Sequence, residues 1–364
     1  MDSVRPQTGG EAQNHTTDQA LTTTENENDL TTTESNSSSG HVPGLTVDDV
    51  IVHSDDSAYV PSSHSSTYSV ESSVYDFVEE NGRTYHKFKE GQYHLPNDDI
   101  ERDRLDLQHH LVTLTFSGEL HLAPIKTLEG GLNHVLDIGT GTGLWAIEFA
   151  TQFPASSVVG TDLSPIQPEY VPKNCHFEVD DAEDTWVFPQ KFDYIHGRAL
   201  CTCFKSHASV INSAFSAIRP GGYLELQDAA FPWRCIDDSW QGTALQRWMG
   251  LLLDGAEALG KDWKRVPKYK EYMRNAGFLD IVEKKFAWPL GTWAKGKKFK
   301  TLGAWCKEDV MKGLQAISMA VMTKGLRMAP EEIDSLIADV KKDVESGKVH
   351  VYIPIYVVYG RTPK

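Results

Sequence analysis

Short apolar runs alternate with segments of helical period through the middle of the chain. The apolar runs end close to acidic or polar residues and occupy 134–138, 157–162, 175–181, 192–196 and 223–228. Helical spacing follows the first of these runs and recurs at 206–218. Strands that alternate with helices in this way predict an α/β fold with a parallel, doubly wound sheet and helices on both faces.

The second half of the chain is predicted to be mainly helical. Helical period covers 238–259, 266–276, 311–328 and 330–345, and strands are predicted at 278–290 and 349–360. Gly277 fits a helix C-cap, and Pro354 predicts a bulge or local break in the last strand because proline removes a ladder donor. The helices between the last two strands are expected to form a lid or a dimer surface. Their Met and Trp residues either line a pocket or pack in the core.

Residues 1–76 form a separate, acidic segment rich in Ser and Thr. Residues 1–80 hold 15 of the 51 Asp and Glu residues and one basic residue, Arg5, which leaves 36 acids against 34 Lys and Arg elsewhere. Residues 1–76 contain too few apolar residues to offset the conformational entropy that folding would cost, so they are predicted to be a disordered tail. It serves either as a spacer or as an arm regulated by phosphorylation.

The remaining residues carry little net charge, so direct nucleic-acid binding is not expected. The basic segment 294–300 is either a solvated turn or a patch for nuclear import or an anionic partner. Five cysteines form no paired framework, and Cys201 and Cys203 lack zinc-site spacing, so reduced thiols in an intracellular protein without a metal are expected. No run approaches the ~18 apolar residues of a membrane span.

Folded structure is predicted from residue 77 onward. Asn81-Gly82 is typical of a turn, and Asp98 is a suitable N-cap for a helix whose apolar face contains Leu107, Leu111 and Leu114. This helix either covers a binding pocket or packs on the sheet.

The most informative stretch is residues 134–147. An apolar strand ends at Asp137, and Gly139, Gly141 and Gly143 follow at alternate positions before a helix begins. Dinucleotide sites use G-x-G-x-x-G and place pyrophosphate at the helix N-terminus. Here the third glycine comes one residue early, and Asp137 would repel phosphate but suit a cation. The pattern D-x-G-x-G-x-G is therefore similar to motif I of class I methyltransferases, whose cofactor S-adenosylmethionine carries a sulfonium and an ammonium.

A second carboxylate is predicted beside this turn. Asp162 ends the next strand, 19 residues after Gly143. This distance fits one helix plus one strand and places an acceptor near the ribose hydroxyls of a bound nucleoside.

Further strings resemble one family, the fungal LaeA-like methyltransferases, which are regulators of secondary metabolism associated with velvet complexes and their relatives. The strings are E-E-N-G-R-T-Y-H at 79–86, D-R-L-D-L within a helix at 102–110, D-L-S-P-I-Q-P at 162–168, P-K-N-C at 172–175, I-R-P-G at 218–221 and A-G-F at 276–278. The resemblance extends from about residue 79 to the C-terminus.

The resemblance implies a Rossmann-like class I methyltransferase with a seven-stranded sheet, parallel except for its reversed last strand. Residues 77–364 would form the domain, with an N-terminal segment (77–130), a cofactor-binding half (131–230) and a C-terminal half with a helical insert (231–364). It also implies S-adenosylmethionine as cofactor, a small-molecule or protein methyl acceptor, velvet-family partners, and a nuclear or cytoplasmic location.

Within that resemblance, Asp181 of the Asp181-Ala182 pair is the expected acceptor for the adenine amino group, with Asp180 as the alternative register. Trp186 or Phe188 either packs on adenine or belongs to the core. At the end of the fourth strand, His196, Arg198, Cys201 and Cys203 lie nearest the transferred methyl group. His196 is either a general base or a structural histidine.

Two other functions compete with methyl transfer. One is a partner-binding regulator of the velvet type that keeps the fold with little or no catalysis. The other is a nicotinamide-dependent oxidoreductase, against which Asp137 and Leu144 argue.

Overall fold

A computed structural model of the chain describes Leu45 and residues 76–364. The disordered tail predicted for residues 1–76 lies outside the described residues, apart from Leu45 and Asp76.

The secondary structure follows the predicted alternation of strands and helices. The strands are β1 (Phe77–Glu80), β2 (Arg83–His86), β3 (His134–Ile138), β4 (Ser157–Asp162), β5 (Cys175–Val179), β6 (Phe192–Arg198), β7 (Ile218–Ala229), β8 (Arg234–Cys235), β9 (Leu279–Pro289) and β10 (Val351–Arg361). The α-helices are α1 (Asp99–Thr115), α2 (Leu144–Gln152), α3 (His207–Ala217), α4 (Ala244–Ala258), α5 (Tyr269–Ala276), α6 (Lys297–Leu326) and α7 (Pro330–Glu345). Short 3-10 helices occupy Ile125–Thr127 and Trp263–Lys268.

The central sheet is mostly parallel, as predicted. Its order is β5-β4-β3-β6-β7-β10, and β9 pairs with the other edge of β10. The first five of these strands are parallel and β10 runs antiparallel to both neighbours, so the last strand is the reversed one. The eighth strand, β8, has two residues and pairs with the same edge of β10 as β7 does, beyond the end of β7.

Helices cover both faces of this sheet. Val135 packs with Trp145 and Phe149 of α2 in one apolar cluster. The next residue, Leu136, packs with Val210 and Ile211 of α3 in another. Because successive strand residues point to opposite faces, α2 and α3 lie on opposite sides of the sheet.

Pro354 does not interrupt the strand that contains it. The ladder between β10 and β9 runs through Pro354, and its register shift falls near Tyr359 and Arg361 instead. The break lies in the neighbouring line, between Ala229 of β7 and Arg234 of β8. The Pro354 carbonyl accepts a hydrogen bond from the Ala230 N–H, so it points toward the strand line formed by β7 and β8. The N–H that proline lacks would point the same way. The ladder of β10 with β7 and β8 is therefore interrupted at Pro354, whereas the ladder with β9 is not.

Two predicted helix starts are wrong. The α4 helix begins after Thr243, whose side chain caps it, because the preceding residues form turns such as Ser239 N–H to the Asp237 carboxylate. The α6 helix begins at Lys297, within the segment interpreted as a basic turn. Buried Phe299, Leu302 and Cys306 extend its apolar face in that direction, while Lys297 and Lys298 remain exposed.

Candidate active site

The glycine turn between β3 and α2 depends on its glycines. Gly139, Gly141 and Gly143 have φ angles of 61°, 58° and 82°, a region that L side chains rarely adopt. A Cβ on Gly143 would lie 2.4 Å from the Phe177 ring, and one on Gly139 would lie 2.6 Å from Leu200. The turn is therefore tightly packed, and side chains at Gly143 and Gly139 would clash with Phe177 and Leu200.

Asp162 ties this turn to the end of β4. One carboxylate oxygen accepts from the Gly141 N–H at 2.8 Å and the other from the Ser164 N–H at 2.9 Å. The Gln167 amide donates to the Gly141 carbonyl at 2.7 Å, so the D-L-S-P-I-Q-P string has a direct role in holding the turn. Burial raises the pKa of Asp162 to about 6.

Asp137 and His196 are neighbours across the strand pair β3–β6. The Asp137 carboxylate accepts from the Thr140 hydroxyl at 2.6 Å and lies 2.7 Å from His196 Nδ1. The His196 ring is fully buried and stacks on Trp145, with ring centroids 3.7 Å apart. These contacts fix the ring through Nδ1, while Nε2 is buried without a hydrogen-bond partner.

Asp181 lies beneath the N-terminal segment. Its side chain accepts from the Gln92 amide at 2.8 Å and the Glu183 N–H at 2.9 Å, and it lies 3.4 Å from Lys89 Nζ. Gln92 and Lys89 therefore fasten the N-terminal segment over the end of β5.

Trp186 and Phe188 pack against the hydrophobic core rather than on the wall of the crevice.

Asp137, Asp162 and Asp181 surround one crevice at the carboxyl ends of the strands. Gly139, Asp162, Asp180, Asp181 and Arg198 line its main part. Asp137, Gly139, Thr140, His196 and Arg198 line an adjoining recess. Gly141 and Gly143 belong to the turn but not to the wall. The acids predicted from three different strands are thus brought together around one hollow.

Comparison with known proteins identifies the family of this chain. A methyltransferase-domain family matches residues 109–282. Methyltransferase pytC of Aspergillus terreus is 34% identical over 301 residues, which cover 82% of this chain and 92% of the relative. The protein-methionine methyltransferase laeA of Emericella nidulans is 35% identical over 305 residues, which cover 83% of this chain and 80% of the relative.

The chain belongs to the LaeA-like methyltransferases. Among solved structures, phosphoethanolamine N-methyltransferase 2 of Haemonchus contortus aligns with a TM-score of 0.42 and 18% identity, over 72% of this chain and 52% of that one.

Arg198 is a half-buried cation in the crevice of this LaeA-like methyltransferase. Its guanidinium donates to His109 Nδ1 at 2.8 Å, and His109 Nε2 lies 3.0 Å from Glu148. Burial and then the Arg198 charge lower the pKa of His109 to about 3, so His109 is a neutral acceptor. Burial also lowers the pKa of Arg198 to about 10. The sequence placed Arg198 near the methyl group, but no local signal indicated His109.

The helix α1 satisfies both interpretations made for it. Leu111 and Val112 pack in the hydrophobic core, whereas Leu105 and Gln108 line the recess around Asp137. Leu105 also lines the main crevice. The helix therefore packs on the sheet and covers the candidate site at the same time.

A second cavity adjoins the crevice of the LaeA-like methyltransferase. Tyr93, Leu105 and Ala199 line both spaces. Aromatic side chains from several elements form much of the remaining wall: Phe231, Trp233, Trp248 and Trp288. The insert contributes Asp309, Val310, Gly313, Leu314 and Ile317 of α6, while Met319 and Met322 pack in the core.

The described residues contain no membrane-length apolar helix. All five cysteines are free thiols.

Asp228, at the end of β7, is a buried acid next to the site. It accepts from the Cys201 N–H at 3.0 Å and the Tyr269 hydroxyl at 2.9 Å. Burial raises its pKa from 3.8 to about 7. Since the folded state keeps this proton between those pH values and the unfolded state does not, this residue makes stability fall as pH rises from about 4 to about 7.

Asp228→Asn is expected to flatten that dependence. The free energy of unfolding of the wild type should lose about 1.4 kcal/mol per pH unit relative to the variant across this window. Urea unfolding at pH 5, 6 and 7 measures the difference. Parallel curves for the two proteins would show that Asp228 does not hold a proton in the folded state.

Proposed function

We propose that this protein is an S-adenosylmethionine-dependent methyltransferase. The observation that carries the proposal is the convergence of Asp137, Asp162 and Asp181 around the glycine turn in one crevice. Three carboxylates favour a cationic nucleoside and oppose the phosphates of a dinucleotide. Family membership supports the same activity.

Each side chain has a proposed role. Asp162 accepts from the ribose hydroxyls with the lone pairs left by Gly141 and Ser164. Asp181, or Asp180 in the alternative register, accepts from the adenine amino group. Asp137 lies where the positive charge of the cofactor is stabilised. Gly139, Gly141 and Gly143 form the turn against which the cofactor packs.

Arg198 extends this scheme. It is the cation that lines both parts of the crevice, and its partner His109 is neutral. We infer that Arg198 binds the carboxylate of the cofactor's amino-acid portion, since guanidinium and carboxylate form paired hydrogen bonds.

S-adenosylmethionine supplies, when bound, a methyl group activated by a sulfonium. Held by Asp162, Asp181 and Arg198, it would donate that methyl group to the acceptor atom, and its sulfur would keep the electron pair. The protein's contribution is alignment and exclusion of water. Gln92, Tyr93 and Leu105 cover the crevice, and the cavity that shares its wall holds the acceptor.

The LaeA-like relatives indicate the biological process in which this protein acts. They include a secondary metabolism regulator of Monascus pilosus and a protein-methionine methyltransferase of Emericella nidulans. We propose that this protein acts inside the cell, in the biosynthesis of secondary metabolites or in its regulation. The alternative is a velvet-type partner-binding regulator with weak catalysis or none.

Calorimetry tests the cofactor assignment. S-adenosylmethionine is expected to bind with a 1:1 stoichiometry and NAD is expected not to bind. Arg198→Met should lower affinity for S-adenosylmethionine at least tenfold, because one charge-assisted hydrogen bond contributes about 1.5–3 kcal/mol. Affinity for 5′-methylthioadenosine, which lacks the amino-acid carboxylate, should change less than twofold.

Arg102→Met on the exposed face of α1 is the matched control and should bind both ligands as the wild type does. Equal losses for both ligands in Arg198→Met would contradict a carboxylate contact. Binding of NAD instead of S-adenosylmethionine would contradict the proposed function.

Incubation with methyl-labelled cofactor and cell extract separates enzyme from regulator. Label in a small molecule or a protein supports catalysis and shows the class of acceptor. Absence of transfer, together with co-purifying velvet-family proteins, would support the regulator.

A further inference from the structure

The cavity beside the crevice has features of a binding site for a specific class of molecule. The inference rests on the proposed function, since Tyr93, Leu105 and Ala199 form the wall that the cavity shares with the cofactor crevice. A molecule in the cavity would lie next to the cofactor crevice, since these three residues line both spaces.

The hydrogen-bond donors of the three cavity tryptophans differ. The Trp248 indole N–H donates to the Ser318 hydroxyl at 2.7 Å, and that of Trp288 donates to the Thr115 hydroxyl at 2.8 Å. Trp233 lines the same cavity and is 5% exposed, yet its indole nitrogen has no hydrogen-bond partner. A buried donor without an acceptor is costly, so an oxygen of a bound molecule that reached this nitrogen would satisfy it.

The charged side chains in the wall are paired with oppositely charged neighbours. Arg104 is bonded to Glu101 at 2.7 Å and to Asp309 at 2.7 Å. Burial strongly raises the pKa of the Cys201 thiol, so it stays protonated. The cavity therefore offers no unpaired charge to a ligand, and a charged ligand would lose hydration without compensation.

We propose that this cavity is the acceptor pocket and that it takes a neutral, flat aromatic molecule whose hydroxyl or carbonyl oxygen accepts from the Trp233 indole. The rings of Phe231, Trp233, Trp248 and Trp288 provide the faces and edges against which such a molecule packs. A methionine side chain of a protein fits less well, because a thioether is only a weak acceptor.

The test uses 2-naphthol as a probe with full-length protein saturated with S-adenosylhomocysteine. Calorimetry is expected to show one bound probe per chain. Trp233→Phe keeps an aromatic ring and removes the donor, and it should weaken probe binding about tenfold. Trp263→Phe is the matched control, because Trp263 also has a buried indole N–H without a partner but does not line the cavity. Its probe affinity should stay within twofold of the wild type.

A second variant guards against loss of folding. Ala229→Leu adds volume inside the cavity, and it should abolish probe binding while leaving affinity for S-adenosylhomocysteine unchanged. Equal probe affinity in the wild type and Trp233→Phe would overturn the proposed hydrogen bond. Undiminished probe binding in Ala229→Leu would overturn the location.

The labelled-cofactor assay adds one more outcome that bears on this inference. Label that enters protein methionine and no small molecule would overturn a small aromatic acceptor, although the protein would still be a methyltransferase. Failure of S-adenosylmethionine to bind the wild type would instead reject the proposed function, which is measured independently of the probe.

Discussion

Replacement of Asp162 by alanine is expected to lower affinity for S-adenosylmethionine about 100-fold. The change removes the proposed acceptor for two ribose hydroxyls, and hydrogen bonds to charged groups contribute about 1.5–3 kcal/mol each. It also leaves the N–H groups of Gly141 and Ser164 without the oxygens that they now use. The glycine turn keeps the bond from the Thr140 N–H to the Thr161 carbonyl of β4 but loses the one made by Asp162, so the cofactor site is less ordered before binding.

The measurement is calorimetric titration at pH 7.5, with Asp339→Ala on the exposed surface of α7 as the control. Circular dichroism establishes that each variant is folded. Unchanged affinity in folded Asp162→Ala would remove Asp162 from the cofactor site.

The same residue gives the binding a pH dependence. Because burial raises the pKa of Asp162 to about 6, the carboxylate gains a proton as pH falls through that value and loses half of its accepting capacity. Affinity of the wild type should therefore decrease below pH 6, whereas that of Asp162→Ala should be nearly constant there.

Local sequence signals predicted the parts of the fold that local interactions determine. Asp98 caps α1 through a side-chain hydrogen bond, as predicted, and Ser206, the first residue of the predicted helix 206–218, caps α3. Gly277 ends α5 with a φ angle of 103°. Caps, glycine turns and alternating apolar runs all act within a few residues, so they can be read without knowing the rest of the chain.

Long-range contacts explain what the sequence did not reveal. Arg104 and Asp309 are 205 positions apart, and Arg198 and His109 are 89 apart. The start of α6 depends on Phe299 packing into a core that distant elements build. The predicted use of Asp162 as a ribose acceptor gave no hint that it also binds the Gly141 backbone. Proximity of this kind is a property of the topology and has no local pattern.

Arg104→Met is expected to destabilise the fold by about 3–5 kcal/mol, because removal of one partner leaves buried charges without compensation. Arg104 joins Glu101 of its own helix to Asp309 of α6, and their side chains are 9%, 2% and 7% exposed. Burial raises the pKa of Asp309 even though Arg104 opposes the shift. With the guanidinium gone, two buried carboxyl groups would lie together, and at least one would have to take up a proton.

Arg102→Met on the same helix is the matched control. Arg102 pairs with Asp99 at 3.0 Å, but these side chains are 44% and 93% exposed, so the loss should stay below about 1 kcal/mol. Urea unfolding at pH 7 compares the two variants. Replacing all three buried partners with apolar residues of similar size should recover most of the loss, since the desolvation penalty then disappears along with the pair. Equal destabilisation by Arg104→Met and Arg102→Met would show that the triad does not join α1 to α6.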